Sequence, residues 1–352
     1  MTGTVPKMAF DIKGDKVVLS GGSFAEEDFS YYGRLKGDGL ELSLVEAAFL
    51  IERDRLELGV SLKEFLKRAS GKQAYFDLKY VVYKDLRERG YYVQPSVTDF
   101  RLYPRGGRPG EGAASAYVYV LSERIPVPFA DLVQKVKLTQ NVRKKMLLAV
   151  VDGESDLTFY EAKNARMQGK MAPLTVDLSE ADATLLDDRV VIWDQQHAVE
   201  LYAAGFYGKL ADGKLLQLSL LECAYLMRLG LPVEDGATNK RFTARQFTRK
   251  AKALEPEFVR KLDVYTDLRD RGLVVKTGFK FGSHFRAYEQ VSDVSAIPHS
   301  KYLVHALPED YVVMLPEMSR AVRLAHGVRK RMIFAYSGKN GLEYLDIGRA
   351  KP

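Results

Sequence analysis

Apolar and polar positions along the chain lay out the same series of elements twice. Ser43-Leu44-Val45-Glu46 and Ser219-Leu220-Leu221-Glu222 both have the S-x-x-E form. In that form the serine oxygen accepts from an early helix N–H and the glutamate reaches back to the cap. The apolar residues that follow (Ala47, Ala48, Leu50 and Ile51; Ala224, Tyr225 and Leu226) fit one face of a helix. Further on, a charged amphipathic helix is predicted to end at Gly90 in one copy and Gly272 in the other, where glycine suits the cap. Alternating Tyr, Val and Phe positions then predict strands, such as Tyr91-Tyr92-Val93 and Tyr117-Val118-Tyr119-Val120. A last helix around Arg143 or Arg329 is expected to feed an apolar strand, Met146 to Val151 or Met332 to Tyr336.

The residues repeat as well as the pattern. Val82-Tyr83-Lys84-Asp85-Leu86-Arg87-Glu88-Arg89-Gly90 returns as Val264-Tyr265-Thr266-Asp267-Leu268-Arg269-Asp270-Arg271-Gly272. Tyr32-Gly33-Arg34-Leu35 matches Tyr207-Gly208-Lys209-Leu210, Phe100-Arg101-Leu102-Tyr103 matches Phe285-Arg286-Ala287-Tyr288, and Val142-Arg143-Lys144 matches Val328-Arg329-Lys330. The offset between copies widens along the chain, so short insertions sit in loops. A period this long, present twice, is tandem duplication of a whole unit and not a solenoid. Helices alternating with mixed strands place the chain in the α/β (α+β) class. The expected domains are 1–72 and 73–165 in unit 1, then 166–254 and 255–352 in unit 2, with the polar stretch Asn164 to Met171 linking the units.

Composition narrows the picture. A chain of 352 residues, 46% hydrophobic, is long enough for two to four domains. A net charge of +7 and a pI of about 9.1 are compatible with a polyanionic partner without requiring one. Cys223 is the single cysteine, which excludes a disulfide framework or a multi-cysteine zinc site and favours a reducing, cytoplasmic setting. No apolar run is long enough to span a bilayer, and no signal-peptide core opens the chain, so no membrane role is expected.

The two copies differ where chemistry could sit. Unit 2 reads His299-Ser300-Lys301-Tyr302 where unit 1 reads Ala114-Ser115-Ala116-Tyr117, so only unit 2 keeps Tyr288, His299 and Lys330 together. A histidine can move a proton near neutral pH. A lysine can stabilise charge building on a phosphate, and a tyrosine can relay a proton. Together they suffice for metal-free RNA cleavage by a ribose 2′-OH attacking the adjacent phosphorus. Spacing leaves plainer readings open: Tyr288 as a strand aromatic, His299 as a cap after Pro298, Lys330 as a solvated helix residue.

Three strings go further: Gly278-Phe279-Lys280-Phe281-Gly282-Ser283-His284-Phe285-Arg286-Ala287-Tyr288, His299-Ser300-Lys301-Tyr302-Leu303-Val304-His305, and Ala325-His326-Gly327-Val328-Arg329-Lys330-Arg331. In this order they closely resemble the archaeal tRNA-splicing endonucleases, and the resemblance covers both units. It implies an N-terminal α/β domain and a restriction-endonuclease-like nuclease domain in each unit. It further implies cleavage of precursor tRNA at a bulge-helix-bulge, without metal or other cofactor, leaving 2′,3′-cyclic phosphate and 5′-hydroxyl ends. Tyr288 is then the general base, His299 the general acid and Lys330 the holder of transition-state charge. Arg323 and Arg349 match the arginines that sandwich a flipped bulge base in the family. The fused double unit resembles the homodimeric type, with unit 1 inactive at Ala114. The loop Asp152-Gly153-Glu154-Ser155-Asp156 matches the acidic loop that docks on the partner subunit, through Asp152, Glu154 and Asp156.

Two features set limits on this reading. The basic, glycine-rich loop that often precedes the catalytic histidine in the family belongs here to unit 1 (Arg105 to Gly110), while unit 2 has Val291-Ser292-Asp293-Val294-Ser295. Asp77-Leu78-Lys79 and Glu161-Ala162-Lys163 match the short pattern of metal-dependent nucleases, but only in unit 1. A non-catalytic RNA-binding module is the other rival, set against the complete residue set in unit 2.

Overall fold

Ser43 and Ser219 cap helices in the way their neighbours require. In each, the serine amide donates to the glutamate three residues on (2.8 Å to Glu46, 3.0 Å to Glu222), and the serine oxygen accepts from that glutamate's N–H. Each glutamate also accepts from a glycine of the preceding strand turn, Gly33 or Gly208. The cap therefore pins the helix to the sheet before it. This computed structural model describes residues 9–20, 29, 31–37 and 39–352. The chain forms two compact units, Met1–Lys163 with Val312–Met318 and Arg349–Pro352, and Asn164–Tyr311 with Ser319–Gly348.

Unit 1 opens with strands Ala9–Lys13 (β1), Lys16–Ser20 (β2), Arg34–Lys36 (β3) and Gly39–Ser43 (β4) in the order β1-β2-β4-β3. Helices Leu44–Glu52 and Leu62–Ser70 follow, then the charged helix Phe76–Glu88. A mixed sheet comes next, built from Val93–Ser96 (β5), Asp99–Leu102 (β6), Ala116–Ser122 (β7), Lys145–Val151 (β9) and Leu157–Asn164 (β10). Its order is β10-β9-β7-β6-β5, and only β7 and β9 run parallel, joined by the helix Phe129–Asn141. The short strand Val127–Pro128 (β8) precedes that helix and pairs with Val312–Val313, numbered β19 in chain order.

Unit 2 repeats the plan. Ala183–Leu185 (β11), Val190–Ile192 (β12), Lys209–Ala211 (β13), Leu215–Leu218 (β14) and Glu234–Asp235 (β15) form the first sheet. The second contains Val274–Thr277 (β16), Phe285–Tyr288 (β17), Tyr302–Ala306 (β18), Arg331–Gly338 (β20) and Gly341–Ala350 (β21). Here β18 and β20 are the parallel pair, joined by the helix Leu315–Gly327. Tyr265 of the helix Phe258–Asp270 lies in unit 2's core, and its counterpart Tyr83 lies in that of unit 1. The duplicated, mixed α/β architecture expected from the sequence is the one observed.

Gly90 and Gly272 follow their helices with φ of 84° and 75°, where a side chain would be strained. Two expectations need correction. The last helices do not contain Arg143 and Arg329: they end at Asn141 and Gly327, and both arginines sit in left-handed turns with φ of 56°. The turn closes by Lys144 N–H donating to Thr139 O and Lys330 N–H to Ala325 O, which spends orphan helix carbonyls. The stretch Asn164 to Met171 does more than link, since it is built into unit 2. Ala165 donates to Tyr344, Gly169 to Arg271 and Met171 to Gly272, and Met167 is wholly buried. Apolar Met167 and a Gly169 too close to Gly272 O for any Cβ explain why this polar stretch packs.

Candidate active site

Strand order brings three side chains of unit 2 to one end of one sheet. Tyr288 is the last residue of β17, which runs antiparallel to β18 with Ala287 opposite Tyr302. His299 lies three residues before β18 begins, and Lys301 N–H donates to Ala287 O. Lys330 immediately precedes β20, which runs parallel to β18 with Arg331 opposite Tyr302. The exit of one strand therefore meets the entries of two others. The closest link is explicit: Lys330 Nζ donates to the carbonyl of Ser300, the residue after His299, at 2.9 Å.

The three environments differ. Tyr288 is 3% exposed and packs with Phe206, Val274 and Val291. Burial pushes its hydroxyl pKa up, and Arg286, by its charge and by a hydrogen bond, pulls the other way. Lys330 is half-buried, and burial, helped by the charge of Arg286, holds its pKa below that of an ordinary lysine. His299 is exposed. Two other histidines nearby are differently placed: His284 and His305 meet edge to face at 5.2 Å, and His284 Nδ1 accepts from Ala306 N–H.

Unit 1 has the same strand ends with different contents. Tyr103 is buried and donates its hydroxyl proton to Gln94 Oε1 at 2.8 Å. Ala114 is buried, and Lys144 is half-buried at the head of β9.

Arg323 is exposed on the helix Leu315–Gly327, and Arg349 is exposed near the end of β21, a strand residue and not part of a tail. The acidic loop is the hairpin tip between β9 and β10. Asp152 spends its carboxylate inside the loop, accepting from Glu154 N–H (2.9 Å) and Asp156 N–H (2.8 Å), while Glu154 and Asp156 are exposed. Asp293 closes its own turn in unit 2 by accepting from Ser295. Of the short carboxylate–lysine patterns, Glu161 is paired with Lys163 and Asp77 sits in the first turn of its helix.

Two residues that the sequence reading passed over belong to this neighbourhood. Arg286 is the charge felt by both Tyr288 and Lys330, and its Nε is buried without a hydrogen-bond partner. Lys276, opposite Arg286 on β16, is drawn to Glu222 and to the carbonyls of Phe206 and Gly208. The signal was available for both, in the repeated Phe-Arg-x-Tyr string and in a strand where the copies carry Gln94 and Lys276.

The chain also matches described families and proteins. Residues 76–159 and 258–344 each match the tRNA intron endonuclease catalytic C-terminal domain, and residues 8–67 and 181–237 each match the N-terminal domain of that family. A tRNA-splicing endonuclease of Methanococcoides burtonii is 50% identical over 351 residues, covering 98% of this chain and 100% of that protein. One from Methanosarcina mazei is 51% identical over 346 residues, covering 97% and 98%. One from Haloferax volcanii is 38% identical over 343 residues, covering 91% and 93%.

Proposed function

Because the chain belongs to the tRNA intron endonuclease family, we propose that it excises introns from precursor tRNA, cutting at bulge-helix-bulge sites by a metal-independent 2′-OH attack. The observation that carries this reading is the meeting of Tyr288, His299 and Lys330 at one sheet end in unit 2, against Ala114 in unit 1. Tyr288 takes the 2′ proton as its phenolate, its own phenol proton having first gone to solvent. The residue is buried at the end of its strand, so the scissile nucleotide has to be splayed out of the duplex to meet it. His299 protonates the leaving 5′ oxygen, and its exposure lets it meet that oxygen and exchange its proton with water. Lys330, fixed by Ser300, holds the negative charge that builds on the phosphate oxygens. The products are a 2′,3′-cyclic phosphate and a 5′-hydroxyl.

In this reading the nuclease-like half of unit 1 is inactive scaffold, and two chains assemble into a homodimer with two active sites. Glu154 and Asp156 present the exposed charge of the acidic loop to the partner, and Asp152 shapes the loop that carries them. Arg323 and Arg349 clamp a flipped bulge base between guanidinium planes.

The test incubates the protein with a short bulge-helix-bulge RNA in excess chelator and examines the ends. Cyclic phosphate and 5′-hydroxyl ends are expected, with His299→Ala still binding the RNA but cleaving roughly 10²- to 10⁴-fold more slowly. Uncut RNA, dependence on added metal, or a fully active His299→Ala would sink the reading.

A further inference from the structure

The repeat places Gln94 and Lys276 at the same position. Gln94 is opposite Arg101 on the strand pair β5–β6, and Lys276 is opposite Arg286 on β16–β17. Arg101 and Arg286 are in turn the second residues of the repeated Phe-Arg-x-Tyr strings. The two side chains differ in what they offer the tyrosine that ends that string. In unit 1 the Gln94 amide oxygen accepts the Tyr103 hydroxyl proton. In unit 2 a lysine has three donors and no acceptor, so it cannot make that bond. Its ammonium is turned instead to Glu222 (2.8 Å), Gly208 O (2.7 Å) and Phe206 O (3.2 Å).

Those contacts shape the tyrosine's surroundings. Phe206 has φ of 56°, a costly conformation for a residue with a side chain, and its ring lies in the cluster that holds Tyr288. Arg269 Nη1 donates to Gly205 O while Lys276 holds Phe206 O and Gly208 O, so two cations fix this turn. Glu222, the capping glutamate, anchors Lys276 in place.

We propose that Lys276 is a positioning residue for the cleavage step: it holds the Phe206 turn under Tyr288 and keeps a hydrogen-bond acceptor away from the Tyr288 hydroxyl. The same position, as Gln94, locks the proton onto Tyr103. This rests on Tyr288 acting as the base in the proposed function. A base must offer its oxygen to the 2′-OH, and a tyrosine donating to a neutral amide is held in its protonated form.

The charged and titratable groups on the elements around Tyr288 are consistent with this. They are Arg286 on its own strand, Lys276 across from it, Tyr202 in the same cluster, Lys170, and His299, Lys301 and Lys330 at the neighbouring strand ends. Glu289, the next residue, is taken up by Lys301 (2.7 Å) and Tyr302 (2.9 Å). Arg286, a donor, is the one that acts on the hydroxyl.

The experiment compares Lys276→Gln with Lys276→Met in the full chain, measuring binding and single-turnover cleavage of bulge-helix-bulge RNA across pH. Both variants strip Glu222 of its cation, so their shared loss reports structure, and only glutamine adds an acceptor. Both should bind RNA. Lys276→Gln should cleave at least about tenfold more slowly than Lys276→Met. Its rise of rate with pH should be displaced upward by about one unit. Should either fold poorly, Glu222→Gln is added to both so that no buried carboxylate is left alone. Equal losses with unshifted profiles, or a Lys276→Gln enzyme like the wild type, would overturn the proposal while leaving the function intact. A wild type that does not cut this RNA would instead overturn the function.

Discussion

The ammonium of Lys330 is tied to the backbone carbonyl of Ser300 at 2.9 Å, one residue from His299. Two strand entries are thereby fixed to each other by one lysine side chain. Lys144 immediately precedes the equivalent strand of unit 1, where Ala114 stands before Ser115 in place of a histidine.

Replacing these two lysines separates the units. Lys330→Ala should slow cleavage by roughly 10²-fold or more, because charge on the phosphate goes uncompensated and the Ser300 anchor is lost. Lys144→Ala should leave turnover within about twofold of the wild type, the range of context effects on such numbers. Single-turnover rates on one RNA, with melting curves to check folding, decide the matter. Equal losses would contradict the division into an active and an inactive unit.

The acidic loop offers a test of assembly that touches none of the three residues. Glu154→Gln with Asp156→Asn removes exposed charge and should weaken the proposed homodimer, and high salt should weaken it in the same direction. Asp152→Ala removes instead the acceptor of two loop amides, costing about 1 kcal/mol or more for each bond lost. It should therefore loosen the loop even at high salt. Sedimentation across protein concentration reads both effects. A triply substituted loop as dimeric and active as the wild type would leave these residues as a solvated turn.

His284 makes unit 2 acid-sensitive. Burial, and then the charge of His305, hold its pKa down at about 4 from the usual 6.5. Below pH 6.5 the unfolded chain takes up a proton that the folded chain refuses until about pH 4, so stability present at neutral pH is lost across that window. The loss from this one group is about 3 kcal/mol. His284→Gln retains an acceptor for Ala306 N–H without the titration, and should lose about 2–3 kcal/mol less than the wild type on acidification. Urea unfolding at pH 7 and pH 4 measures the difference, and identical acid losses would remove His284 as the cause.

Much of the fold could be read from local chemistry. The capping boxes at Ser43 and Ser219, and the glycine stops at Gly90 and Gly272, are short-range rules, and all four are found as written. The last-helix boundaries were misread because Arg143 and Arg329 adopt a left-handed turn that arginine disfavours, forced by closure onto Thr139 and Ala325. The docking of Asn164 to Met171 onto unit 2 depended on partners about a hundred residues away in sequence, Arg271 and Gly272, which no local pattern names.

The chain's own residues determined the duplication, the α/β class and the loss of a histidine at Ala114, because each is a property of composition and order. What only the tertiary structure decided is which side chains share a strand end. Tyr288, His299 and Lys330 are far apart in sequence and meet because β17 leaves the sheet where β18 and β20 enter it. The same register sets Lys276 against Arg286 and Gln94 against Arg101. Strand pairing is a long-range choice, made by cores that bury both faces of a sheet at once, and it decides which neighbours Tyr288 and Tyr103 each meet.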